Sequence, residues 1–106
     1  MTNNKILGLI GLATRARKIA FGADSVELEI KKKKVKLIVI AEDSSERTKN
    51  KFRKLSEEFN IPIIEKETIQ TLSKAIGKEN KAIIGIEDIN FSREIIKINN
   101  GGEIIG

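Results

Sequence analysis

Histidine and cysteine are absent from the 106 residues, as are tryptophan and tyrosine, and there is a single proline. With neither thiol nor imidazole, the chain has no thiolate nucleophile, no Ser-His pair and no conventional zinc site. General acid–base chemistry would fall to Asp, Glu or Lys, which titrate near neutrality only when strongly buried. These absences count against an enzyme. The lack of cysteine also removes disulfides, which fits a cytoplasmic protein. One proline argues against a linker-rich or disordered chain. No apolar run approaches the ~20 residues needed to span a bilayer. In "MTNNKILGLIGLATRARK" the charges follow the apolar part instead of preceding it, which is the wrong order for a secretory signal. The expectation is a small, soluble protein with no membrane and no cofactor.

The residues that are present suffice for one core. Forty per cent are hydrophobic, mostly Ile and Leu, so residues 1–106 are expected to form a single domain. The net charge is +5 and unevenly spread. Residues 1–41 hold nine Lys and Arg against Asp24, Glu27 and Glu29, whereas residues 42–106 hold eleven against twelve acidic residues. An excess confined to the first part of the chain suits one face that meets an anionic partner.

Periodicity supplies the element order. Ile6, Leu9, Ile10 and Ala13 mark a first helix capped by Asn3 or Asn4, in which Gly8 and Gly11 suggest close helix packing. "KIAF" reads as a strand. Asp24, with Glu27 three residues on, fits a capping box for a helix that ends in Lys31–Lys34. "VKLIVIA", Val35–Ala41, is a strand covered on both faces. A long helix then starts at Ser44 or Ser45, carries Thr48, Phe52, Leu55 and Phe59 inward, and stops at Asn60. "IPII" is a strand whose Pro62 suggests an edge. Thr68 caps a helix that ends at Gly77, "AIIGI" is the last strand, and Asp88 opens the last helix. Residues 99–106 read as a flexible tail. The order predicts a three-layer α/β/α sandwich, with helices on both faces of a small, mixed, four-stranded sheet.

Nucleotide-binding loops are missing, because neither G-x-x-x-x-G-K-[ST] nor G-x-G-x-x-G occurs. Glu42 and Asp43 lie beyond a strand's C-terminal end, where they could hold hydrated Mg²⁺ for a small enzyme, or be plain solvated loop residues. "RARKIAFGADS" sets Arg15, Arg17 and Lys18 before a turn and a helix N-terminus, whose free N–H groups suit a phosphate. Gly22 would allow close backbone approach. Asp24 can be a cap alone, or a cap that also accepts hydrogen bonds from base edges. The four lysines of "GADSVELEIKKKK" fit a solvated helix end, with an auxiliary part in attracting polyanions. Phe52, Phe59 and Phe91 fall on core stripes, which leaves only Phe21 for base stacking. That scarcity favours structured RNA over single strands.

The stretches "GLATRARKIAFGAD", "VKLIVIAEDSSERTKNKF", "IPII" and "LSKAIGK" resemble the bacterial YlxQ-like branch of the kink-turn-RNA-binding ribosomal protein superfamily. The likeness runs from about Leu7 to Phe91. It implies an α/β/α sandwich, RNA binding and no catalysis. In that family the turn before the second helix reads sheared G·A pairs through Gly-x-Asn-Glu, with a Lys three residues on. Here Gly22 and Ala23 match, while Asp24, Ser25 and Leu28 replace the Asn, Glu and Lys. Ala20 and Phe21 stand where basic residues usually precede the Gly. The family's second contact, an apolar loop after the fourth helix, is here the charged "GKENKA". Ionised Asp24 only accepts hydrogen bonds, so the base pattern it can read differs from that of Asn.

The expected function is therefore a non-catalytic, ribosome-associated or regulatory protein, monomeric, that binds structured ribosomal or messenger RNA. The expected surface has Arg15, Arg17 and Lys18 for phosphates and Gly22 for close approach. Asp24 and Ser25 supply hydrogen bonds, and Lys78 and Lys81 reach in from the neighbouring loop. A protein-interaction module on the same fold is the alternative.

Overall fold

Among the described residues, four of the five helices begin at a side chain that takes up a free N–H of the first turn. In the computed structural model, which describes residues 4–101, the order is α1 (Lys5–Arg15), β1 (Ile19–Phe21), α2 (Ala23–Lys31), β2 (Leu37–Ile40), α3 (Glu46–Phe59), β3 (Ile63–Glu65), α4 (Ile69–Ile76), β4 (Ile83–Ile86) and α5 (Ile89–Asn99). Asn4, Ser45, Thr68 and Asp88 each accept from the N–H three residues on, and Thr68 forms a full capping box with Thr71. The tail expected over residues 99–106 falls largely outside the described residues, since α5 runs through Asn99.

The sheet order is β1-β4-β2-β3, with β4 antiparallel to both β1 and β2, and β3 parallel to β2. Helices cover both faces, as the alternation of elements implies. β2 is wholly apolar yet still alternates between two cores. Leu37 and Val39 face α1, α4 and α5 with Ile10, Leu72 and Ile95, whereas Ile38 and Ile40 face α2 and α3 with Val26, Ile30 and Phe52. Each such buried Ile, Leu or Phe contributes about 1.5–3 kcal/mol from its removal from water. The edges, β1 and β3, have only three residues each, and such short edges offer little for a foreign strand to pair with. Pro62 lies just outside β3, where its carbonyl accepts from the Ile38 N–H and its missing N–H costs nothing.

Some details differ from the sequence expectations. Asp24 does not cap α2. Gly22 holds the N-cap position at φ 89°, ψ 149°, without a side-chain cap, and Asp24 is an exposed first-turn residue. The glycine turns the chain so sharply that the helix begins before Asp24 could serve. Close packing holds at Gly11, where an added Cβ would meet the Ala75 carbonyl of α4 at 3.5 Å, but Gly8 has nothing within 4 Å. β2 spans Leu37–Ile40 within the expected Val35–Ala41, and the Lys36 and Ala41 N–H groups flanking it still donate to the Ile86 and Ala82 carbonyls. Thr48 and Phe59 are half-buried, so the inner face of α3 rests on Phe52 and Leu55.

Candidate nucleic-acid interface

Antiparallel pairing of β1 with β4 brings the residues that follow β1 against those that precede β4. Phe21 pairs with Ile84, and the Gly22 N–H donates to the Ile83 carbonyl at 2.9 Å. The β1–α2 turn and the α4–β4 loop therefore meet at one end of the sheet. The φ and ψ of Gly22 lie in a region open essentially to glycine alone. With no cap, the N–H groups at the start of α2 point outward beside exposed Asp24 and Ser25.

The α4–β4 loop is held from both sides. Gly77 closes α4 in the left-handed conformation, and Asn80 adopts the same region at φ 58°. Buried Ser73 fastens the far side, its Oγ accepting from the Lys81 N–H at 2.7 Å and donating to the Lys81 carbonyl at 3.3 Å. The Lys78 and Lys81 ammonium groups then sit 5.3 and 5.6 Å from the centroid of the half-buried Phe21 ring. The negative face of the ring stabilises both cations and gathers them over the turn. Lys81 Nζ is 3.9 Å from where a Cβ on Gly22 would lie. Two cations thus stand beside an uncapped helix start, with Asp24 and Glu79 as the nearby acidic residues of the same two segments. A groove of about 820 Å³ continues from Gly77, Lys78 and Asn80 along α4 to Asp43.

Of the eight residues expected to act together, five are adjacent: Gly22, Asp24, Ser25, Lys78 and Lys81. Arg15, Arg17 and Lys18 are not. They precede β1, so the strand carries the chain away from them, and Lys18 is roughly 13 Å from Gly22 at ~3.3 Å per residue. The Lys18 carbonyl accepts instead from Glu87, at the far end of β4. Because α2 runs back along β1, its C-terminal lysines lie at this far end too. Burial and the nearby Glu29 push the Glu87 carboxyl above its ordinary value, against the pull of Lys34 and Lys18. Glu29 is lowered, first by the hydrogen bond it accepts from Glu87 and then by Lys34 and Lys32.

Phe21 and Ser73 were not among the expected site residues. An aromatic directly before Gly22 was a readable signal, whereas nothing in the sequence marks Ser73. Asp43 also has a structural task, since its Oδ1 accepts from the Ile69 N–H at 2.8 Å and gives α4 a second cap. Among the described residues no three His, Cys, Asp or Glu side chains gather as a metal site, and no helix is long and apolar enough to cross a membrane.

A mixed four-stranded sheet between two helical layers, with one strand-to-helix turn and one helix-to-strand loop joined at its end, defines a small α/β/α class. Residues 4–96 match the Ribosomal protein L7Ae/L30e/S12e/Gadd45 family, and the chain belongs to it. It is similar to the RNA-binding protein YlxQ of Bacillus subtilis (strain 168), 33% identical over 90 residues that cover 85% of this chain and 90% of that protein. The RNA-binding protein YlxQ of Enterococcus faecium is 33% identical over 97 residues, covering 92% and 93%. A solved structure of a protein with unknown function from Bacillus halodurans superposes with a TM-score of 0.89 at 32% identity, covering 92% of this chain and 99% of that one. The 15.5kD RNA binding protein of Giardia lamblia shares the fold, with a TM-score of 0.76 at 16% identity over 95% and 92% of the two chains.

Proposed function

We propose that the protein is a non-catalytic RNA-binding protein whose reading end is formed by Gly22, Asp24, Ser25, Lys78 and Lys81, with Phe21 as the platform for the two lysines. One observation carries this reading: the only helix start without a side-chain cap among the described residues is also the place where two ammonium groups converge. Free N–H groups and paired cations suit phosphate oxygens, and exposed Asp24 and Ser25 suit polar base edges. The names of the Bacillus and Enterococcus relatives agree with RNA as the ligand. A kink-turn in ribosomal or messenger RNA is the proposed target. Arg15, Arg17 and Lys18 act as phosphate contacts for an RNA long enough to follow the β1 edge to the far end.

The test is affinity for a kink-turn RNA and for the same RNA with its G·A pairs disrupted, each at two salt concentrations. A preference for the intact turn that persists at the higher salt is expected. Lys78→Ala combined with Lys81→Ala should weaken binding about tenfold or more and reduce the salt slope by up to about two. Equal binding of both RNAs, or an unchanged slope in the double variant, overturns the assignment.

A further inference from the structure

The far end of the molecule carries a feature formed by none of the residues proposed to contact RNA. A groove of about 800 Å³ opens where α2, α3 and α5 converge on the start of β2. One wall is a single stripe of α5, Ile89, Ser92, Arg93 and Ile96, which are spaced to share a helix face. The opposite wall holds Phe59 and Pro62, and Lys33 and Lys36 stand at the rim. Ile89 is 45% exposed, one of the few large apolar side chains left in water. Ser92 is only 1% exposed, and its Oγ has no hydrogen-bond partner.

The rim charge selects the partner. Lys33, Lys36 and Arg93 face the single carboxylate Glu58 across the groove, and none of the three cations is in an ion pair among the described residues. The apolar part of the lining is aliphatic apart from half-buried Phe59, so it lacks the aromatic platforms on which single-stranded bases stack. We propose that this groove docks an acidic segment of a partner protein that also bears aliphatic side chains. Its apolar groups cover Ile89 and Ile96, and its carboxylates meet Lys33, Lys36 and Arg93. The protein would then read RNA through the turn at Gly22 and hold a protein through this groove.

The probe is a short labelled peptide that alternates Glu and Asp with Leu, compared with a counterpart carrying Lys in place of the acids. Fluorescence anisotropy gives affinity, and amide chemical shifts give location. The acidic peptide is expected to bind and the basic one not, with shifts confined to Lys33–Lys36, Phe59–Pro62 and the first turns of α5. Exposed Lys36→Glu combined with Arg93→Glu should weaken peptide binding about tenfold or more, while kink-turn RNA affinity stays unchanged. Ile89→Ser should weaken it independently of charge. Absence of peptide binding, or peptide shifts at Gly22 and Lys78, overturns the proposal. So does insensitivity to these variants. Oligouridylate shifting the groove amides would assign the surface to RNA, and concentration-dependent shifts without peptide would assign it to a second copy; either result overturns a protein partner as well.

Discussion

At the scale of single residues, positive φ separates two kinds of helix ending. α4 closes on Gly77 and α3 on Asn60, residues that enter the left-handed region at little cost. α1 and α2 close on Arg17 at φ 60° and Lys33 at φ 63°. In both, the next amide reaches back to the last turn: Lys18 N–H to the Ala13 carbonyl at 2.9 Å and Lys34 N–H to Glu29 at 3.0 Å. These bonds fix the conformation that the side chain disfavours. For a residue with a Cβ the left-handed region costs roughly 1–2 kcal/mol, and glycine's extra freedom in the unfolded chain gives back about 0.5–1 kcal/mol of that. Arg17→Gly and Lys33→Gly should therefore each stabilise by about 0.5–1 kcal/mol. A raised urea midpoint with an unchanged m-value is the expected reading. A lowered midpoint would mean that the aliphatic stems of these side chains matter more than their backbone strain.

At the scale of elements, the position of α2 matters most, because its first turn is half of the proposed reading end. What sets its distance from the sheet is Gly85 in β4. A Cβ there would come within 3.0 Å of Val35 Cγ2 and 3.3 Å of Val26 Cγ1. Gly85→Ala should cost about 1–3 kcal/mol by overpacking and should weaken RNA binding by displacing Val26 and the turn before it. Adding Val35→Ala should restore part of the RNA affinity, a non-additive result that thermal melts and titrations would register. Such contacts explain which parts of the molecule were legible in the sequence. Caps at Ser45, Thr68 and Asp88 lie within three residues of their partners, so local pattern was enough. The sandwich followed from the alternation of elements. Asp24 misled because the backbone of Gly22, invisible in residue type alone, starts the helix early. Arg15, Arg17 and Lys18 are near Gly22 in sequence but separated from it by the length of β1. Lys78 and Lys81 reach the site by strand pairing, and only the likeness to a known family pointed to their loop.

At the scale of the whole molecule, opposed titrations shape stability against pH. Hydrogen bonds from Lys51 and Lys31 lower Glu27, and a hydrogen bond from Arg53 lowers Glu65. Lys51 Nζ is 2.7 Å from Glu27 Oε1 and ties α3 to α2, while Arg53 Nε is 2.6 Å from Glu65 Oε2 and ties α3 to β3. A lowered carboxyl contributes stability above its unfolded value near 4.5 and loses it as pH falls through the folded value. Glu87 works in the opposite sense. Its carboxyl is raised, so the folded state keeps a proton that the unfolded chain has already released. That contribution is complete below the unfolded value near 4.5 and disappears as pH rises through the raised one. Stability should therefore fall on both sides, steeply on acidification and gently above the ordinary carboxylate range. Glu87→Gln removes only the second loss, because an amide donates to Glu29 at any pH. Urea midpoints measured from about pH 2 to pH 8 should show the upper limb flattened and the acid limb kept. Were the variant's upper limb to match that of the native chain, the proton between Glu29 and Glu87 would have no part in holding α2 to β4.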